Sequence, residues 1–443
     1  MNRVRREDKT VHDVLGIGYG PSNLALAIAI EEHNRRSAPQ DRLQAAFLEK
    51  QPEFGWHRGM LIDDATMQVS FLKDLVTMRD PTSDYSFLCY LKERGRLVDF
   101  LNQKTLFPLR IEFHDYFEWV AARLEHMVRY GHEVLSVEPV FDGAEVAWFD
   151  VVSRVGGPDG EQVTHRARNL CLATGLTPRI PPGAARSEQV WHTQELLPRT
   201  QAWSGPDPKR VVVLGAGQSA AEAVSYLHRS FPGAEVCAVF AKYGYTPADD
   251  SPFANRVFDP EGVDVYYRSP REVKQSLMDY HRSTNYSAVD LELIDSLYRS
   301  QYQERVQGRE RLRFLNVSRI REVAPAEQET GPLRVTVEYL PTGERSVLDT
   351  DLLVYATGYH PADQDALLGR VAKLCLRDEE NALRLDRDHR VAVAPNVSAG
   401  IYLQGSTEHT HGLTSTLLSH TAVRSGEILD SLLGHRTRED AAA

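Results

Sequence analysis

Two glycine-rich stretches carry the first recognisable chemistry. Gly16-Ile17-Gly18-Tyr19-Gly20-Pro21 follows the short apolar run Val11–Leu15, and a helical stretch starts at Ser22 and runs to about Arg36. Gly215-Ala216-Gly217-Gln218-Ser219-Ala220 follows Arg210–Leu214 and opens a second helix rich in small residues. Glycines between strand and helix let the backbone approach a pyrophosphate, while the helix start offers free N–H groups and the positive end of its dipole. Gly215, Gly217 and Ala220 fit the G-x-G-x-x-G/A fingerprint. In the first stretch Gly16 and Gly18 take the first two places and Pro21 the third, a departure from the pattern. Proline is tolerated there because an N–H in the first helical turn has no intrahelical partner. Each loop predicts a bound dinucleotide, with Gly16, Gly18, Gly20, Pro21 and Ser22 as contacts in the first.

The strand after each helix sorts the two loops. Leu43–Lys50 reads as a strand closing on Glu49, a carboxylate suited to the ribose hydroxyls. The connection to it exceeds the usual ~20 residues because residues 31–44 lengthen it. The corresponding stretch after the second helix, Val239-Phe240-Ala241-Lys242, holds no acid. A cation there suits the extra phosphate of NADP, with a merely solvated Lys242 as the alternative. The N-terminal unit is assigned FAD and the second NAD(P)H.

The elements that must hold these loops repeat. Each strand–turn–helix is followed by a buried-type strand ending in Ala-Thr-Gly, at Leu170–Gly175 and at Leu352–Gly358. Strands alternating with helices predict an α/β fold with two Rossmann-like doubly wound nucleotide-binding domains. Residues 243–315, rich in Tyr, Asp and Arg, read as a smaller helical insertion in the second. The expected limits are 1–205 and 346–443 for the FAD domain and 206–345 for the NAD(P)H domain, which suits 443 residues at ~150 per domain. A net charge of −11 disfavours a nucleic-acid reader, which needs clustered Lys and Arg. No apolar run approaches the ~20 residues of a membrane span, and the opening MNRVRREDKT lacks a secretory apolar stretch. A cytoplasmic protein is expected, with no nucleic-acid or membrane partner.

Two nucleotide loops in one chain suggest electron flow from NAD(P)H to a flavin. Cys89, Cys171, Cys237 and Cys375 lie far apart, so the close pair of a disulfide reductase is missing. Ser187–His192 lacks the Phe and Gly of the F-x-G-x-x-x-H motif of Baeyer–Villiger and flavin-containing monooxygenases. Four other stretches remain: Gln68–Leu75 with Asp80-Pro81-Thr82-Ser83; Ala248-Asp249-Asp250-Ser251-Pro252-Phe253-Ala254-Asn255; Thr284-Asn285-Tyr286-Ser287; and His411-Gly412-Leu413 through Leu417-Leu418-Ser419. In this order they resemble the microbial N-hydroxylating flavoprotein monooxygenases of siderophore biosynthesis, in particular the L-ornithine N5-monooxygenases, over nearly the whole chain.

The resemblance implies FAD and NADPH as cofactors, and L-ornithine and O2 as substrates. The product would be N5-hydroxy-L-ornithine, formed through a C4a-hydroperoxyflavin. Lys73 then pairs with the substrate carboxylate, Asn255 and Asn285 hold the amino-acid backbone, and Ser419 lies on the substrate side. Gln68 lies beside the flavin, Thr416, Leu417 and Leu418 form a flavin-contacting turn, and Val134 is a further contact. Glu49, Lys50, Trp56 and His57 belong to a segment that wraps FAD, the insertion binds substrate, and Asn285, Gln218 and Ser219 contact the nicotinamide nucleotide. The family often has Arg where Ala241 stands, so NADH is expected to be accepted alongside NADPH. A homo-oligomer, as a tetramer, is also implied. From the residues alone, Lys73 could be a surface lysine, Asn255 and Asn285 turn or cap residues, and Trp56 and Tyr286 packing residues. No catalytic side chain is assigned, Asp249-Asp250 is read as a turn, and no metal is expected at His409 and His411. The rival activities are lysine or diamine N-hydroxylation and simple NAD(P)H-dependent flavin reduction.

Overall fold

The computed structural model describes residues 5–183, 185–249, 251–325 and 331–442. Val11–Leu15 lies inside a longer strand, Arg5–Ile17, at the centre of a seven-stranded sheet. The polar residues before Val11 join it because Arg5 and Arg6 pair with Val163 and Thr164, a tertiary partner that no local pattern announces. Ala45–Glu49 and Val128–Tyr130 lie on one side in parallel, and Glu161–Leu172 on the other. The first half of Glu161–Leu172 pairs antiparallel with Glu145–Val155, which pairs in turn with His132–Asp142. Its end, Asn169–Leu172, pairs in parallel with Gly400–Leu403, so the C-terminal part of the chain returns to the first sheet. Helix Pro21–Arg36 packs on this sheet and on the last helix, Thr421–Ala442. Its near-continuous buried run Leu24–Ile30 reflects cover on both faces.

The second sheet is fully parallel, in the order Leu312–Leu315, Glu235–Val239, Arg210–Leu214, Leu352–Tyr355, Val190–His192. Such strands are buried on both faces and read as apolar runs, as Val211, Val212 and Val213 do. The expected limits of this unit need correction. Val190–His192 lies before residue 206 and Leu352–Tyr355 after 345, yet both are strands of this sheet, held by ladder partners distant in sequence. The insertion ends before Leu312, which pairs with Val236. Its helices are Pro260–Arg268, Arg271–Asn285 and Leu291–Gln307. A three-stranded antiparallel meander, Ser318–Ala324, Leu333–Tyr339 and Glu344–Thr350, precedes the return strand.

Several contacts join the units. Leu176–Pro178 and Tyr359–Pro361, the segments just after the two Ala-Thr-Gly turns, pair with each other. Buried Arg110, opening helix Arg110–Arg123, forks onto Glu222 of helix Gln218–Ser230 at 2.9 and 2.7 Å.

Candidate cofactor and substrate site

The two glycine loops are superimposable in their hydrogen bonds, and this fixes which residues correspond. Gly18 N donates to Leu48 O at 2.8 Å, and Gly215 N to Val239 O at 3.1 Å. Ala173 N donates to Ile17 O, and Ala356 N to Leu214 O, each at 2.9 Å. A Cβ on Gly18 would lie 2.4 Å from Ala173 O, and one on Gly215 2.4 Å from Ala356 O. Gly20 and Gly217 are the extended N-caps of the following helices, neither with a side-chain cap. The fingerprint in the first unit is therefore Gly18, Gly20, Asn23, two residues later than the sequence pattern suggested. Gly16 is a strand residue, kept small because a Cβ would meet the Phe47 ring at 2.1 Å. Where the second unit has the small Ala220, the first has a fully buried Asn23. Its amide donates to Gly18 O at 2.7 Å and Cys171 O at 3.3 Å, tying loop to strand by hydrogen bonds rather than close packing.

Glu49 ends its strand facing the first loop. Its two oxygens accept from Tyr19 N at 2.8 Å and Gln51 N at 2.9 Å, which leaves lone pairs for a ribose. Among the described residues the space around Gly20 is open, with nothing within 4 Å of a built Cβ. An uncapped helix start, an open approach and a carboxylate at the strand end together fit an adenine dinucleotide. In the second unit the position of Glu49 is taken by buried Phe240. Lys242 Nζ donates to Ser287 O at 3.1 Å, and Ser287 Cα lies 3.5 Å from a Cβ built on Gly217, so Lys242 stands beside the second loop.

The stretches expected on the substrate side come from separate parts of the chain. Asn255 lies in the turn Ala254–Phe258 and Asn285 ends helix Arg271–Asn285, and both elements pack against Leu413–Thr416, the turn just before Leu417, Leu418 and Ser419. Tyr286 Oη donates to Glu408 Oε1 at 2.9 Å, clamping the insertion to this C-terminal segment. Burial and that carboxylate push the phenol up to about 12. Lys73 comes from the irregular 68–80 loop, and it makes no ion pair among the described residues. The loop owes its shape to Asp74, whose buried carboxylate accepts from Val76, Thr77 and Phe87 N–H groups at 3.0, 2.7 and 2.7 Å. Arg79 then packs under Gly426 of the last helix and donates to Glu32 at 2.7 Å.

Trp56 is half-buried and meets Phe117 edge-on at 5.3 Å, while His57 beside it takes a left-handed backbone at φ 55°. Lys50 and Gln68 are exposed, and Val134 packs at the margin of the first sheet's core. His409 Nε2 lies 2.8 Å from Leu383 O and His411 Nε2 3.2 Å from Arg387 O, so both rings face backbone carbonyls. Asp249 caps Ser251 N at 3.0 Å, and Asp250 lies outside the described residues.

Comparison with known proteins bears on what this arrangement serves. The profile of the L-lysine 6-monooxygenase/L-ornithine 5-monooxygenase family matches residues 10–361. The chain belongs to this family. An L-ornithine N(5)-monooxygenase of Burkholderia cepacia is 41% identical over 438 residues, 97% of this chain and 96% of its own. An ornithine N-hydroxylase of Kutzneria sp. 744, solved with reduced FAD, NADP+ and L-ornithine, is 44% identical with a TM-score of 0.91, covering 96% of this chain and all of its own. The ornithine hydroxylase of Pseudomonas aeruginosa is 36% identical with a TM-score of 0.89, covering 96% and 100%.

Some of the contacts that shape the site in this lysine/ornithine monooxygenase were not legible in the sequence, even where the residue itself was. Gln218 Oε1 accepts from Asp290 N at 2.7 Å and its amide donates to Glu222 at 2.9 Å. One side chain thus ties the loop to the insertion and to the Arg110 ion pair. Asp80 accepts from Thr82 N and Oγ1 at 3.0 and 2.6 Å, which holds its carboxyl down at about 2. Ser83 donates to Glu32 at 2.6 Å. The Asp80–Ser83 stretch is thus a fastening between loop and first helix. Glu32, its partner, carries no local signal in the sequence.

Proposed function

We infer that this chain is an FAD- and NADPH-dependent monooxygenase that converts L-ornithine and O2 to N5-hydroxy-L-ornithine, for siderophore or related natural-product biosynthesis. The observation that carries the reading is near-full-length likeness to ornithine N-hydroxylases, in a chain whose two glycine loops both keep the geometry of a dinucleotide cradle. FAD, when bound, supplies the redox chemistry: it takes hydride from NADPH and activates dioxygen.

The side chains supply binding and orientation. The loop N–H groups after Gly18 and Gly20 hold the FAD pyrophosphate, and Glu49 takes the ribose. The Gly215–Gly217 turn with Gln218 and Ser219 holds NADPH, and Lys242 meets its 2′-phosphate. Lys73 pairs with the ornithine carboxylate, while Asn255, Asn285 and Ser419 fix the rest of the amino acid. Thr416, Leu417 and Leu418 line the flavin, with Gln68 at its edge. Fixed placement matters because oxygen transfer needs the amine nitrogen at near-attack distance. An ammonium has no lone pair, so the oxygen-transfer rate rises with pH as the substrate amine deprotonates.

No helix is long and apolar enough to cross a membrane among the described residues. The proposal includes a cytoplasmic location and a homotetramer, the latter testable by light scattering. The deciding assay follows NADPH and NADH oxidation in air with ornithine, lysine and putrescine, scoring hydroxylamine and peroxide together. Hydroxylamine from ornithine in step with NADPH supports the reading. Hydroxylamine from lysine or putrescine instead makes the chain one of the other N-hydroxylases, and peroxide alone whatever the amine makes it a reductase.

A further inference from the structure

Arg424 is 2% exposed, yet no carboxylate lies within 4.0 Å of its guanidinium among the described residues. The nearby Glu427 is engaged by Arg387 at 2.9 and 2.8 Å and by His389 at 3.3 Å. Every acceptor Arg424 has is neutral: Gln404 Oε1 at 3.3 Å, Ser415 O at 2.6 Å, Ser22 Oγ at 3.1 Å and Thr421 Oγ1 at 3.4 Å. Burial draws its pKa down to about 10, which leaves it charged at neutral pH. A buried cation satisfied in hydrogen bonds but not in charge is costly unless an anion lies close by.

Its surroundings add positive potential. Arg424 stands in the first turn of helix Thr421–Ala442, where the dipole disfavours a cation. Its partner Ser22 stands in the first turn of helix Pro21–Arg36, behind the open N-cap Gly20. Neither first turn carries an acid. Gln404 knits the same place together, donating to Ser22 O at 3.1 Å and Asn23 Oδ1 at 2.9 Å. Ser415, whose carbonyl accepts from Arg424, keeps a buried Oγ with no hydrogen-bond partner among the described residues.

We propose that Arg424 is a positioning residue for FAD: its charge, delivered through Ser22 and the first turn of helix Pro21–Arg36, is the counter-charge of the pyrophosphate at the first glycine loop. The Asn23–Gln404–Arg424 web takes the place of the small third residue of the fingerprint. It couples the N-terminal loop to a helix some four hundred residues later, so the fold of the C-terminal segment is linked to flavin occupancy. The inference rests on the assignment of FAD to the first loop.

The test compares wild type, Arg424→Gln and Arg424→Lys as full-length chains. It reads FAD affinity by flavin fluorescence, NADP+ affinity, and the melting temperature with and without FAD. Arg424→Gln is expected to bind FAD about tenfold or more weakly, with NADP+ affinity unchanged. Its FAD-free form should melt no lower than wild type, because a buried charge with no ion-pair partner of its own has been removed. Arg424→Lys should recover part of the FAD affinity, since it keeps charge without the fork. Unchanged FAD affinity in Arg424→Gln overturns the proposal. So does a variant pair in which FAD-free stability and FAD affinity fall together, because a packing role alone predicts that. A wild type that binds no FAD refutes the cofactor assignment itself.

Discussion

Gly18 and Gly215 meet the same demand in two settings. Each turns under the carbonyl of an Ala-Thr-Gly alanine, and each is followed two residues on by an uncapped glycine N-cap. The units part ways at the third fingerprint position and at the end of the second strand. Asn23 and Glu49 make the first loop a polar, hydrogen-bonded cradle anchored in the C-terminal segment through Gln404. Ala220 and Phe240 make the second an apolar one, and its polar contacts come from outside the unit, through Gln218 to Asp290 and through Lys242 to Ser287. The difference suits a flavin that stays and a nicotinamide nucleotide that comes and goes. We propose that affinity is fixed in the first unit by the fold itself and in the second by the insertion that also carries Asn255 and Asn285.

Paired glycine substitutions give the largest expected separation of the two. Gly18 sits at φ 86° with 2.4 Å between a built Cβ and Ala173 O, so Gly18→Val adds a clash to about 1–3 kcal/mol of backbone strain. The purified protein should be colourless. Gly215→Val should remain yellow while its reduction by NADPH falls by about tenfold or more. Loss of flavin from both variants would show that the loops do not act separately, and the contrast between the two units would fail.

The ion pair between the units is next in size. Arg110→Met leaves Glu222 buried without its cation, at a cost of about 3–5 kcal/mol. Arg110→Met with Glu222→Leu should be much less costly than the sum of the single changes, as chemical denaturation of the four-member cycle would measure. Additive losses would mean that the buried pair does not couple the units.

These two experiments turn on features that were unequally readable from the chain. Glycines flanked by an apolar run and a helix announced both loops, because a turn of that kind is a local property. The register was misread by two residues because Gly16 looks like a loop glycine until Phe47 is seen across the strand. Domain limits at 205 and 345 failed for a related reason, since strands Val190–His192 and Leu352–Tyr355 are assigned by ladder partners far away. Arg110, Glu222, Gln404 and Arg424 carry no local signature at all. Their importance lies in being buried together, which only the tertiary structure reveals.

Lys73→Ala probes the substrate side, where a lost charge-assisted contact is worth about 1.5–3 kcal/mol. The KM for ornithine should rise about tenfold or more, with flavin content and NADPH affinity held at wild-type levels. Unchanged saturation by ornithine would remove Lys73 from the site and leave the 68–80 loop as scaffold alone.

Lys242 gives the smallest effect and the sharpest reading of the second unit. Its ammonium is spent on Ser287 O in this structure, and lysine offers a 2′-phosphate a point charge without a planar fork. Such a contact at an exposed position is worth about 0.2–1 kcal/mol, so Lys242→Ala should lower the NADPH-to-NADH ratio of kcat/KM by only about two- to fivefold. Lys242→Arg should raise the ratio, because a guanidinium can hold two phosphate oxygens at once. Flavin content should stay constant in both, since Lys242 stands beside the second loop and not the first. If neither substitution moves the ratio, the second unit selects its nucleotide without Lys242. The tie to Ser287 would then be the lysine's whole role, holding the insertion against the Gly217 turn.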